Sequence, residues 1–364
     1  MLERDAHRSR RLNLKAGEWV EVRSREEILA TLDEHGRLEN LPFMPEMLQY
    51  CGRRVRVFKR ADKTCDNIQT WSIRRMKNAV HLEGLRCDGM GHGGCQAGCL
   101  IFWKEAWLKR AENNVLSPET LLPVGTVSAG ECRGLCTVEN ILAASQTRNS
   151  EGETVYSCQA TELRNFTSFM RMWDPRQYIR DLRSGNLASC SATDSRALRA
   201  LNVVLGFIRI LQAIVISLFE QVQLRRQRSP FPLFLGTLDR TPVETLDLQP
   251  GELVQVCSEE EIIATLNWHN RNRGLLFDVE MLRYCGGIHR VSRRVHHIID
   301  EKTGKMINMK YPCIVLEGVV CQSDYHRLCP RAIYHYWREN WLKRALNLPD
   351  SLPAEQMTET CEKF

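Results

Sequence analysis

Polar and apolar residues alternate from Glu18 to Arg23, with Val20 and Val22 on one face, and this period of two predicts a strand. Ser24 followed three residues later by Glu27 is a capping box, which predicts a short helix over Arg25 to Asp33. Pro45 opens a second short helix through Tyr50, and Gly52 ends it. Alternation around Val55 and Val57 predicts a strand from Arg53 to Arg60, and Val80 to Arg86 reads as the next. Trp103, Trp107 and Leu108 lie at helical spacing, so Leu100 to Ala111 reads as a closing helix, with Lys109 and Arg110 at its C-terminal end.

The same pattern occurs twice. Residues 12–111 align with 246–345 without a gap, at a constant offset of 234, and about 40 of the 100 positions are identical. GEWVEVRSREEILATLD matches GELVQVCSEEEIIATLN, EMLQYCG matches EMLRYCG, and WKEAWLKRA matches WRENWLKRA. The expected fold class is α+β: two duplicated, small β-barrel-like domains of SH3-like type, with short helices, at 12–111 and 246–345. Two copies of this length are domains, not solenoid units. In the second copy EKTGK, Glu301 to Lys305, reads as a turn between strands, followed by a strand from Cys313 to Val320.

The intervening 112–245 reads as a linker and a helical middle segment. Pro118, Pro123 and Gly125 mark 112–131 as linker. Asp174-Pro175 is a helix start, and Gly185 is its stop. Residues 200–222 carry one broad apolar face, Leu201, Val204, Leu205, Ile208, Leu211, Val215, Leu218 and Phe219. The run is long enough to span a bilayer, but Arg209 near its centre costs roughly 2.5–3.5 kcal/mol there. A buried helix, or one packed between the two repeat domains, is the expectation, with membrane anchoring through 200–222 as the alternative.

Fifty basic and 44 acidic residues give a net charge of +6, and 39 of the 50 are Arg. No basic run is long enough to mark nucleic-acid binding. The first residues, MLERDAHRSRRLNL, carry no apolar secretory segment, so the expected location is cytoplasmic and the 15 cysteines are expected to be reduced. Reduced cysteines are ligands, nucleophiles or core residues.

The offset of 234 places Cys51 on Cys285, Cys87 on Cys321, His92 on His326 and Cys95 on Cys329. Each copy therefore carries Cys…Cys-x4-His-x2-Cys, and three thiolates with one imidazole make a tetrahedral zinc set. The first copy adds Cys65 and Cys99, where the second has Ile299 and Ile333. The metal candidates are thus Cys51, Cys65, Cys87, His92, Cys95 and Cys99, with Cys285, Cys321, His326 and Cys329. Zinc is the expected cofactor. An iron–sulfur cluster in the first copy is the alternative, although the compact ferredoxin spacing is absent. Shared core thiols are the plain reading of the same matches. Cys132, Cys136, Cys158 and Cys190 in the middle segment are weaker candidates. His81 reads as a surface histidine, because Val315 replaces it in the second copy.

The runs LPFMPEMLQYCGRRVRVFKRADKTCD, HLEGLRCDGMGHGGCQAGCLIFWKEAWLKR, CQATEL, WDPRQYIRDLRSGN and TPVETLDLQPGELVQV resemble a family of uncharacterised bacterial proteins, over most of residues 12–345. The resemblance implies a setting beside polysaccharide or secondary-metabolite biosynthesis genes. It implies no activity, so no functional residue is taken from it. The expected function is a metal-binding accessory or binding protein, acting on a protein partner or a small-molecule substrate. The rival is a redox or transferase enzyme using Cys65, Cys87, Cys95 and Cys99 with Cys132 and Cys136. No phosphate-binding loop, nucleophile elbow or dinucleotide fingerprint is present.

Overall fold

The computed structural model describes residues 11–66, 72–111, 136–171, 174–187, 196–226 and 235–345. Among them the chain is mixed α+β, with two curled antiparallel half-barrel sheets and few helices. It divides into two compact units. The first takes the described parts of Met1–Gly94, Leu100–Val203 and Glu301–Lys305; the second takes Cys95–Cys99, Val204–Asp300 and the described part of Met306–Phe364.

The sheet of the first unit has the strand order Leu100–Lys104, Ala79–Arg86, Arg54–Arg60, Trp19–Val22, Leu108–Arg110. The sheet of the second has the order Met306–Leu316, Ile288–Ile299, Leu253–Val256, Leu342–Arg344. Their registers correspond: Val57 faces Leu82 and Arg60 faces Val80, while Val291 faces Leu316 and Arg294 faces Ile314. Helix α1, Arg25–Leu29, starts from the Ser24–Glu27 capping box and ends four residues short of the expected Asp33. Its counterpart in the second unit starts from Ser258 and Glu261. Pro45–Tyr50 and Val279–Tyr284 are single 3-10 segments, each followed by a cysteine and a left-handed glycine, Gly52 and Gly286.

The helix expected over Leu100 to Ala111 does not form. A strand, one 3-10 turn at Glu105–Trp107 and the strand Leu108–Arg110 replace it. All five residues of Leu100–Lys104 are buried, so the run lacks the alternation that marks a half-exposed strand. The tryptophans that suggested a helix pack the core instead. Trp107 meets Phe43 edge-on at 5.2 Å and donates from Nε1 to Thr31 Oγ1 at 3.1 Å. Trp341 meets Phe277 at 5.4 Å and donates to Thr265 Oγ1 at 2.8 Å.

The described residues of the middle of the chain hold both helices and short strands. These are α2 (Val138–Ala144), α3 (Arg176–Ser184), α4 (Arg196–Arg225) and three short strands. One of these strands, Ser168–Phe169, pairs with Ser72–Arg75 inside the first unit. Helix α3 begins one residue later than the sequence suggests; Asp174 Oδ1 accepts from the Arg176 N–H at 3.0 Å, and Gly185 ends it at φ 75°.

Helix α4 corrects the expectation of a buried helix. Its large residues, including Leu201, Phe207, Ile208, Leu211, Val215 and Phe219, are exposed. The narrow stripe of Gly206, Ile210, Ala213 and Ser217 is the buried side. Charge pairing orients it: Arg209 donates to Asp324 at 2.7 Å, and Glu220 faces Arg327 at 3.7 Å. Among the described residues, Leu201–Gln223 is the one segment long and apolar enough to cross a membrane by length and composition.

Candidate metal centre

Three local structures converge at each site. In the first unit the 3-10 segment carries Glu46 inward, the end of strand Ala79–Arg86 leads to Cys87, and the glycine-rich loop brings His92. His92 Nδ1 lies 2.6 Å from Glu46 Oε1, and Cys87 Sγ lies 3.7 Å from the same oxygen. Glu46 Oε1 also accepts from the Gly91 N–H at 3.0 Å, while its Oε2 is buried with no hydrogen-bond partner. His92 Nε2 faces the Ser157 carbonyl at 3.1 Å, an outer contact that fixes the ring while leaving Nδ1 to the centre. Tyr50 donates from its hydroxyl to the Arg86 carbonyl and so holds the residue next to Cys87.

The second unit repeats this arrangement 234 residues later. Glu280, Cys321 and His326 converge, and in both sets the ligand atoms all lie within 4.8 Å of one another. Glu280 Oε1 accepts from the Tyr325 N–H at 2.6 Å, the position matching Gly91. Tyr284 donates to the Val320 carbonyl at 2.7 Å, as Tyr50 does to Arg86. The loops share a backbone. Gly89, Gly93, Gly94 and Gly98 have positive φ, and so do Ser323, Arg327, Leu328 and Ala332 at the matching positions.

Of the cysteines and histidines read from the sequence, Cys87 with His92 and Cys321 with His326 are brought together. Glu46 and Glu280 complete each set and were missed, although both open the matched runs EMLQYCG and EMLRYCG. Cys51 and Cys285 end the 3-10 segments and pack against the cores. Cys65 is buried on the strand Lys63–Asp66, opposite Ile73. Cys95 and Cys99 belong to the second unit, where Cys95 Sγ accepts from the Ile299 N–H at 3.4 Å and both thiols lie near Tyr336. Cys329 is buried, close enough to Cys321 and His326 for its charge to act on both. Cys136 and Cys158 belong with the core of the first unit, and Cys132 and Cys190 lie outside the described residues. His81 is not on the surface: it is fully buried, its ring tilted against Phe102 at 4.5 Å, with Nδ1 2.9 Å from the Ile101 carbonyl.

The electrostatics disfavour these thiols as nucleophiles. Burial, followed by the charge of Glu280, holds the Cys321 thiol well above its ordinary range. Burial likewise pushes Cys158 up to about 11 and Cys285 up to about 12, and raises Cys51, Cys136, Cys257 and Cys313. Such thiols stay protonated near neutral pH and react poorly until a metal takes the proton's place.

His326 titrates differently. Burial alone would lower it, but the hydrogen bond and charge of Asp278, with Glu280 adding, raise it to about 9. Burial opposes the Asp278 charge too, yet His326 holds that carboxyl below its ordinary value. The imidazolium therefore stabilises the metal-free second unit fully below its unfolded pKa of about 6.5, and the contribution fades as pH rises through about 9. The loss amounts to on the order of 3 kcal/mol. Urea unfolding in chelator at about pH 6 and about pH 10 checks it. Equal stability of the second unit at both would count against the Asp278–His326 pair.

No protein-family model, no curated protein and no solved structure matches this chain.

Proposed function

We propose that the protein binds a divalent metal, zinc, in two copies of one SH3-like, barrel-type domain, and serves as a cytoplasmic accessory or binding protein. The reading rests on one observation: a glutamate, a cysteine and a histidine converge from the same three local structures in both units. A set that recurs in both halves is better explained by a shared ligand than by a shared core, since a carboxylate and an imidazole are poor core formers. One thiolate, one imidazole and one carboxylate suit zinc. An iron–sulfur cluster needs several thiolates at one centre, and the raised thiols argue against redox chemistry. The resemblance noted from the sequence adds a role in a biosynthetic pathway, with a protein partner or a small molecule at the metal.

Elemental analysis of the purified full chain is the direct test, and about two zinc per chain is the expected result. His92→Gln should remove one equivalent and His326→Gln the other. Iron with visible charge-transfer bands, or a metal-free chain that takes up no zinc, would overturn the proposal.

A further inference from the structure

We infer that the two sets are unequal: Glu280–Cys321–His326 is the higher-affinity zinc site, and Asp278 is its positioning residue. The inference rests on the zinc reading above and adds an order of filling and a residue that controls it.

The first ground is the outer partner of the histidine. In the first unit His92 Nε2 faces a neutral backbone carbonyl, that of Ser157. In the second, His326 Nε2 lies 3.2 Å from Asp278 Oδ1. A carboxylate there makes the deprotonated imidazole a stronger donor to metal and fixes its orientation more firmly than a carbonyl does, although zinc must first displace the proton that the same carboxylate holds on the ring. Asp278 is itself held, because the same oxygen caps the 3-10 segment by accepting from the Glu280 N–H at 2.9 Å. One carboxylate thus orients both the segment that carries Glu280 and the ring of His326. Its counterpart in the first unit is Met44, which offers neither contact.

The second ground is the loop that carries the histidine. Both loops adopt the same backbone, with the residue-92 and residue-326 amides donating back to Gly89 and Ser323 at 2.9 and 3.2 Å. In the first copy's loop four glycines occupy the positive-φ positions, so ordering that loop costs the most conformational entropy. In the second, non-glycine residues hold the same angles, a strain that persists only where the surroundings over-determine the backbone. Those surroundings are visible. Asp324 is clamped between Arg209 of α4 at 2.7 Å and Arg283 at 2.9 Å, and Arg327 reaches Ser217 of α4 at 3.3 Å. The positions matching Asp324 and Arg327 are Met90, which is 82% exposed, and Gly93. The second loop is held in its ligand-bearing conformation by these side-chain contacts, and the matching Met90 and Gly93 have no charged side chain to make them.

The third ground is donor supply. Cys329, outside the 4.8 Å set, is buried one turn on from His326, its N–H donating to the His326 carbonyl at 3.2 Å. His335, also buried, has an Nε2 with no hydrogen-bond partner and sits within range of the Asp278 and His326 charges. Ile101 takes its place in the first unit.

The test is a zinc titration of the metal-free full chain against a chromophoric chelator. Two phases of one equivalent each are expected, with the tighter lost in His326→Gln and the looser lost in His92→Gln. Asp278→Asn keeps the helix cap, since Asn caps as well as Asp, and removes only the charge behind the ring. It should weaken the tighter phase about tenfold or more and leave the looser phase where it was. If Asp278→Asn leaves both phases unchanged or weakens the looser one, the inference fails while the zinc reading stands. The same holds if His92→Gln removes the tighter phase. If the wild-type chain takes up no zinc, the zinc reading itself fails. A shift of the tighter phase alone, with an unchanged far-UV spectrum, supports the inference.

Discussion

Glu105→Ala is expected to lower the stability of the first unit by about 3–5 kcal/mol, the range for removing one partner of a buried charge network. The Glu105 side chain is fully buried. It accepts the backbone N–H groups of Leu12, Asn13 and Leu14 at 2.9, 3.2 and 3.1 Å, and the Arg60 guanidinium at 2.6 Å. Truncation strands three amide donors and leaves Arg60, only 12% exposed, with Asp62 as its one remaining carboxylate partner among the described residues, beside the Leu14 carbonyl. Glu105→Gln keeps the volume but loses the charge and one acceptor, so it should fall between wild type and alanine. Glu339 does the same work in the second unit for Leu246, Leu248 and Arg294, so Glu339→Ala should destabilise that unit instead. Denaturant unfolding with hydrogen exchange read separately over 12–22 and 246–256 would resolve the two. A loss under 1 kcal/mol for Glu105→Ala would show that the network does not hold the N-terminal segment.

Lys63→Met should cost a similar amount near neutral pH, by a different route. Lys63 and Asp181 are both nearly inaccessible and paired at 2.6 Å. Burial raises the Asp181 pKa even with Lys63 beside it. Without the ammonium, the carboxylate must either remain charged in the interior or keep a proton it would release on unfolding. The unfolded state then binds fewer protons than the folded one, so the variant loses stability as pH rises above the ordinary Asp value of about 3.9. Lys63→Met should therefore look nearly wild type in acid and fall furthest behind at neutral pH. The double variant Lys63→Met, Asp181→Leu removes the stranded charge and should recover most of the loss. A double variant as unstable as the single one would show that packing around α3, and not the pair, carries the effect.

Neither network touches the converging metal sets; both hold the strands beside them. Arg60 and Lys63 flank the turn out of strand Arg54–Arg60, and Asn186 at the end of α3 exchanges two hydrogen bonds with the Arg60 backbone. The strand beside it, Ala79–Arg86, ends one residue before Cys87.

The sequence alone determined the pieces that depend on near neighbours. The capping boxes at Ser24 and Ser258, the stop at Gly185 and the strand Arg54–Arg60 follow from local hydrogen bonding and side-chain alternation. A constant offset of 234 was enough to pair Cys87 with Cys321 and His92 with His326, because matched positions need no geometry to be recognised. Tertiary structure decided the rest. Leu100–Lys104 is a strand because both its faces are buried, and burial on both faces erases the period that distinguishes strand from helix. Helix α4 turns its small residues inward because Asp324 and Arg327, more than a hundred positions away, pair with Arg209 and Glu220. Glu46 and Glu280 stood in plain view in the repeated runs, but a glutamate is ordinarily a surface residue. Only the fold brings a carboxylate, a thiol and an imidazole from three separate segments to within 4.8 Å of one another.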